Sequence, residues 1–259
     1  RQGWYNRTKL KFNYVCVRRC MSDFEQMVQY WDNTGEWRKS YYTQLKNITS
    51  DKFSMAEKME RELDLAEYTA IDKIIKYKKK ISLLDIGCGV GRQILDFGIV
   101  YKQSQFEGVD ISPYQINLLN KEIKNRNINN IKAKVLDAIN VDKLCTCYDV
   151  VMFCNNSLGC FDEKRRSRCL KGVKKVLKDD GMLLIGNFGK ISIADRCYAE
   201  WGISVLGIDF IKEQIDLGVY KSIWKNSKAL VEEISLHNFK CVENIEAGLG
   251  GVYIFQNKK

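Results

Sequence analysis

The chain has 259 residues, 45% of them hydrophobic and 11% aromatic, with 42 Lys and Arg against 32 Asp and Glu. That length suits one large α/β domain with or without a helical extension and excludes a small scaffold stapled by disulfides, while no apolar run reaches the roughly 18–20 residues of a membrane span. The net charge of +10 attracts a polyanion, but the basic runs at residues 9–19, 73–80 and 164–178 are not interleaved with a clear pattern of stacking aromatics and read first as solvated helix faces, with RNA as the alternative partner.

Residues 1–20 mix basic and aromatic side chains without the apolar core of a signal peptide, and residues 11–17 suit a short strand. From residue 23 to about 78 the spacing is helical. Asp23 is an N-cap candidate, Phe24, Met27, Val28 and Trp31 recur at helical intervals, and Leu63, Leu65, Ile71, Ile74 and Ile75 do so more loosely. Tyr30, Trp31, Trp37, Tyr41 and Tyr42 cluster in this stretch.

Residues 81–93 read ISLLDIGCGVGRQ, a short apolar run ending in an acid and then in alternating glycines. This predicts a buried strand at residues 81–86, a tight turn and a helix from about 91 to 101. Strands follow at 105–109, 133–136 and 149–154, with a helix opening at Ser112-Pro113 between the first two. A helix over 162–178 stops at Asp179-Asp180-Gly181, which turns into a strand at 182–187. Residues 190–225 break the alternation, with a helix near 193–201 and a hairpin within 212–224. A last helix at 227–238 leads to strands at 240–245 and 252–256, joined as a hairpin around residues 248–251.

The ten cysteines include no Cys-x-x-Cys pair, and His237 is the one histidine, so neither a zinc site nor a disulfide framework is indicated. Free cysteines in a reducing cytoplasm, and no metal, are expected. Asn6, Asn47 and Asn155 open glycosylation-like triplets, which an asparagine-rich chain produces by chance.

Asp85-x-Gly87-x-Gly89-x-Gly91 resembles the first motif of the class I S-adenosylmethionine (SAM)-dependent methyltransferases, a Rossmann-like superfamily. The dinucleotide fingerprint is the poorer match, because position 92 is Arg and the third glycine arrives one residue early. The resemblance covers residues 81–187 directly. It implies a doubly wound α/β fold with a mostly parallel seven-stranded sheet and an antiparallel last strand. Residues 1–78 would form an extension with lid helices, and 79–259 the SAM-binding domain with a substrate-side insertion at about 190–225.

The same resemblance implies SAM as cofactor, S-adenosylhomocysteine as product, and a set of contacts. Asp85, Gly87, Cys88 and Gly89 would cradle the amino-acid end and ribose. Asp110, 19 residues after Gly91 and followed by Ile111, would take both ribose hydroxyls with its two oxygens. Asp137 and Ala138 would clamp the adenine. Cys154 and Asn155 would face the sulfonium, and Asn155 or Asn156 would handle the acceptor. From the lid, Trp31 would hold the cation by its ring face and Arg38 would meet a carboxylate, although packing on the sheet explains the aromatic stripe as well.

Pro113 is the one proline, so the Asn/Asp-Pro-Pro-aromatic motif of base and glutamine amino-methyltransferases is missing. His237 lies far in sequence from the strand tips, and without a histidine base a nitrogen acceptor, or an already acidic oxygen or thiol, is the easiest. The expected function is therefore methyl transfer to a small molecule at nitrogen. The alternatives are an RNA methyltransferase acting on cap, tRNA or rRNA through the basic surface, and a non-catalytic SAM-fold subunit.

Overall fold

Leu83 and Leu84 are neighbours on one strand and both are fully buried, so apolar layers cover both faces of that strand. The same holds for Val150 and Val151, Met152 and Phe153, and Leu184 and Ile185. In the computed structural model, which describes residues 25, 27–29, 31, 32, 35, 55–189, 222–248 and 250–258, these pairs divide between two separate cores. Leu83, Val150, Met152 and Leu184 join one, and Leu84, Val151, Phe153 and Ile185 the other. The predicted strand at 11–17, the Asp23 cap, Arg38, Tyr30, Trp37, Tyr41, Tyr42 and the elements expected within 193–221 lie outside the described residues.

The strands are β1 (Ser82–Ile86), β2 (Gln105–Asp110), β3 (Ile131–Val135), β4 (Tyr148–Phe153), β5 (Leu177–Phe188), β6 (Phe239–Ala247) and β7 (Gly250–Asn257). They form one seven-stranded sheet in the order β3-β2-β1-β4-β5-β7-β6. Pairing is parallel from β3 to β5, whereas β7 runs antiparallel to both β5 and β6. The reversal from β3-β2-β1 to β4 puts a switch point at the carboxyl ends of β1 and β4, where an open sheet of this kind binds its ligand.

Among the described residues the sheet is covered by α1 (Met55–Lys78), α2 (Arg92–Val100), α3 (Pro113–Asn125), α4 (Glu163–Val176) and α5 (Ser227–Ser235). Ser112 caps α3 through Gln115 N–H, Asp162 caps α4 through Arg165 N–H, and Asn226 caps α5 through Ala229 N–H. Helix α1 buries Leu63, Glu67, Ala70, Ile71, Ile74 and Ile75 and packs across β6 and β7. Leu65, expected on that stripe, is 54% exposed. No described helix is long and apolar enough to cross a membrane.

Two elements differ from expectation. Strand β5 begins at Leu177, directly after α4, because Leu177 pairs with Tyr148 while the next pair is Met182 with Val150. The expected Asp179-Asp180-Gly181 turn is thus a bulge inside one strand. Strand β3 starts at Ile131, earlier than the sequence suggested, and as a sheet edge it leaves Val135 49% exposed where burial on both faces was expected.

Candidate functional site

At the carboxyl end of β1 the backbone turns back over β2. Gly87 N–H and Cys88 N–H both donate to Val109 O, at 2.8 and 3.1 Å. Gly87 has φ 77°, and a Cβ there would sit 2.9 Å from Ser157 Cβ, so a side chain would close the gap between the ends of β1 and β4. Gly91 caps α2 at φ 78°, and a Cβ there would collide with Leu119 of α3. The Cys88 side chain points down into the core, under the turn its backbone helps to form.

Asp110 closes the turn from β2. Its Oδ2 accepts from Gly89 N–H at 2.8 Å and its Oδ1 from Ser112 N–H at 2.9 Å. A carboxylate offers about four lone-pair sites, so these two bonds leave acceptor capacity for two hydroxyl donors. Asp85 is 2% exposed, and its carboxyl is pushed up to about 8, first by burial and then by the Asp110 charge. A buried acid held in this way is stabilised by an incoming cation.

Asp137 and Ala138 follow β3. The Asp137 carboxylate accepts from Ile139 N–H at 3.3 Å, capping the 3-10 helix Ala138–Lys143, and Oδ1 also takes a 2.5 Å ion pair from Arg165. Ala138 is buried and Ile111 partly so. From the N-terminal helical residues, Trp31 O accepts from Gln115 Nε2 at 2.8 Å, and the Asp32 carboxylate accepts from Ser112 Oγ and from Tyr114 N–H. Trp31 therefore lies against the start of α3, one residue group away from Asp110.

The tip of β4 is a strained turn. Asn155 and Asn156 have φ 50° and 57°, both left-handed, a conformation that costs a non-glycine residue about 1–2 kcal/mol. Asn156 is 3% exposed and its amide is committed inward: Nδ2 donates to Ser222 Oγ at 2.9 Å and Ile223 O at 3.4 Å, and Oδ1 accepts from Phe188 N–H at 3.2 Å. Asn155 is partly exposed. Cys154 is buried, and burial pushes its thiol well up, reinforced by Glu67 and Asp85.

Glu67 was not among the residues expected at the site. Its side chain, from α1, is fully buried at the β4 tip: Oε1 accepts from Asn155 N–H at 2.6 Å and Oε2 from Gln93 Nε2 at 2.8 Å. Arg92 lies 3.4 Å from the same Oε2. Burial pushes this carboxyl up to about 8, with Asn155 N–H and Gln93 pulling the other way and Asp85 adding to the rise. His237 is remote from all of this, at the end of α5, with its imidazole lowered by burial.

A topological switch point, a turn built on alternating glycines and an acid at each of the first three strand ends are together consistent with the class I SAM-dependent methyltransferase superfamily. Residues 77–202 match the family model described as a methyltransferase domain.

Among solved structures, the chain is similar to a SAM-dependent methyltransferase from Methanosarcina mazei, at 23% identity and TM-score 0.51 over 69% of this chain and 93% of that one. A TehB-like SAM-dependent methyltransferase from Corynebacterium glutamicum aligns at 18% identity and TM-score 0.53, over 85% and 97%. PKMT2 from Rickettsia typhi in complex with AdoHcy aligns at 16% identity and TM-score 0.52, over 69% and 50%. A curated protein of Rickettsia prowazekii, itself described as uncharacterized, is 32% identical over 103 residues, 40% of this chain and 41% of that protein. The chain thus spans half or less of the Rickettsia proteins it matches.

SAM is the cofactor of this class, and the described residues fit it: a turn at Gly87 that a Cβ would fill, acceptor capacity on Asp110 and a buried acid, Asp85, that gains from a positive neighbour.

Proposed function

We propose that the protein is a methyltransferase that moves the methyl group of SAM to a small-molecule acceptor, a nitrogen by preference. When bound, SAM supplies an electrophilic methyl carbon on a sulfonium. The chain's part is to hold that group and the acceptor in line, and positioning alone contributes several kcal/mol. In this reading Gly87, Cys88 and Gly89 give backbone contact, Asp85 offsets the positive charge, and Asp110 accepts from the ribose. Asp137 and Ala138 border the adenine, with Asp137 shared with Arg165. Asn155 handles the acceptor, while Asn156, with its amide bonded inward, holds the tip in shape. Trp31, set against α3, belongs to a lid, and Arg38, outside the described residues, is proposed to meet a carboxylate of SAM or of the acceptor.

The observation that favours a small acceptor over RNA is where the basic runs lie. Of the two runs within the described residues, 73–80 lies at the last turn of α1, leading into the start of β1, and 164–178 ends at the start of β5, so 73–80 and the end of 164–178 lie at the end of the sheet away from the glycine turn, while Arg165 at the start of α4 is neutralised by Asp137. Five of their lysines are also paired with acids: Lys73 with Glu243, Lys76 with Asp72, Lys78 with Asp180, Lys175 with Asp142 and Lys178 with Asp149. Nitrogen is favoured because the one added acid at the tip, Glu67, has both oxygens taken by donors, and a neutral amine needs no base.

The test is calorimetric titration with SAM, followed by methyl-tritiated SAM offered to primary amines, phenols, thiols and total RNA. Label in the amine fraction supports the proposal. Label in RNA alone overturns the acceptor, and no SAM binding at millimolar concentration overturns the cofactor.

A further inference from the structure

Glu67 has no solvent contact, yet it touches three separate parts of the site. It accepts the Asn155 N–H of the β4 tip and the Gln93 amide of α2, the helix that starts immediately after the glycine turn. Around it lie Arg92 of α2, Asp85 of β1, Cys154 just after β4 and Glu60 of its own helix. On β5 the neighbour is Gly186, where any Cβ would collide with the Glu67 carboxylate, so the sheet itself leaves the room this side chain fills.

Burying a carboxylate is costly unless donors surround it, and a merely structural contact between α1 and the sheet would be served better by an apolar side chain. The neighbouring positions on the same stripe, Leu63, Ala70, Ile71 and Ile74, are apolar. What an apolar residue cannot do is accept the N–H of Asn155, which the left-handed turn directs into the protein.

We propose that Glu67 is the positioning residue of the active site: it fixes the strained Asn155-Asn156 tip and ties it to the start of α2, so that the acceptor side and the cofactor turn keep one relative placement. This rests on the cofactor reading for its purpose, while the tie itself is a property of the ligand-free protein. Asp64, one turn earlier on α1, also pairs with Arg92 but has no bond to the tip, which makes it the control.

The experiment compares wild type, Glu67→Gln and Asp64→Asn by amide hydrogen exchange and by the amide chemical shift of Asn155, without ligand and with S-adenosylhomocysteine. A glutamine must turn its NH2 either toward Asn155 N–H or toward the donors of α2, so one side of the tie is lost. In Glu67→Gln the Asn155 amide exchanges about tenfold faster or more, its shift moves, and affinity for S-adenosylhomocysteine falls about tenfold, whereas Asp64→Asn stays within about twofold on all three. Unchanged exchange in a folded Glu67→Gln, or an equal effect of Asp64→Asn, overturns the assignment. Faster exchange with unchanged affinity overturns the link to the cofactor turn. Should Glu67→Gln not fold, the wild type decides: an Asn155 amide exchanging as fast as that of exposed Lys102 refutes the tie, and strong protection upholds it. Failure of the wild type to bind S-adenosylhomocysteine would sink the cofactor reading and leave the ligand-free exchange result standing.

Discussion

Replacing Asp110 by asparagine separates its two tasks. The ionised carboxylate accepts from Gly89 N–H at 2.8 Å and Ser112 N–H at 2.9 Å. Hydrogen bonds to a charged group contribute about 1.5–3 kcal/mol each, and an amide keeps one accepting oxygen, so one bond is lost and about 1.5–3 kcal/mol of folding stability with it. For a domain of this size that lowers the melting temperature by about 3–10 °C. The ribose loses an accepting oxygen too, which lowers SAM affinity by about 10- to 100-fold. Differential scanning calorimetry without ligand reads the first effect, and titration with S-adenosylhomocysteine well below the transition reads the second. A variant that melts with the wild type and binds equally well would refute both roles.

Other substitutions probe the same geometry. Asn156→Ala removes an amide with three inward partners from a left-handed position and should cost about 2–4 kcal/mol in urea unfolding. Asn155→Ala should cost about 1 kcal/mol or less and instead lower turnover with the amine that accepts label. Gly87→Val, placed at φ 77° and against Ser157, should abolish binding of S-adenosylhomocysteine in dialysis while circular dichroism still reports a folded chain; retained binding would contradict the site. The Asp85 carboxyl, raised from 3.8 to about 8, keeps its proton in the folded state over a range where the unfolded chain has lost it. Ligand-free stability contributed by this group therefore falls as pH rises from about 4 to about 8 and is level above that. Glu67, raised from 4.5 to about 8, adds a fall over the same window, so Asp85→Asn should make the fall in melting temperature shallower without removing it, and an unchanged slope would show that Asp85 has no part in it.

What the sequence disclosed was whatever is written in consecutive residues. The glycine turn, Asp110 and the Ser112-Pro113 cap are local, since each is read from the residues beside it or from spacing within about twenty residues, and the structure puts Asp110 at the end of β2 and the cap at the start of α3 as expected. The bulge in β5 was read as a turn because Asp-Asp-Gly has turn chemistry, and only the pairing of Tyr148 with Leu177 shows that the strand has already begun. Glu67 was missed because its partners lie 26 and 88 residues away. A signal was present, however: it occupies the fourth position after Leu63 and the third and fourth before Ala70 and Ile71, an acid on an otherwise apolar helical stripe. Asn155 and Asn156 were singled out as alternatives because adjacent asparagines look alike in one dimension. Their hydrogen bonds separate them.

The placement of β7 between β5 and β6 has a consequence for how the chain is made. On the ribosome, the first five strands emerge well before the hairpin that completes the sheet. Until then β5 is a rim whose Leu183, Leu184 and Ile185, all buried in the finished protein, border unpaired backbone. A nascent chain stalled before residue 250 should bind chaperones and aggregate, and release of β7 should end both, because this strand closes the open rim of β5.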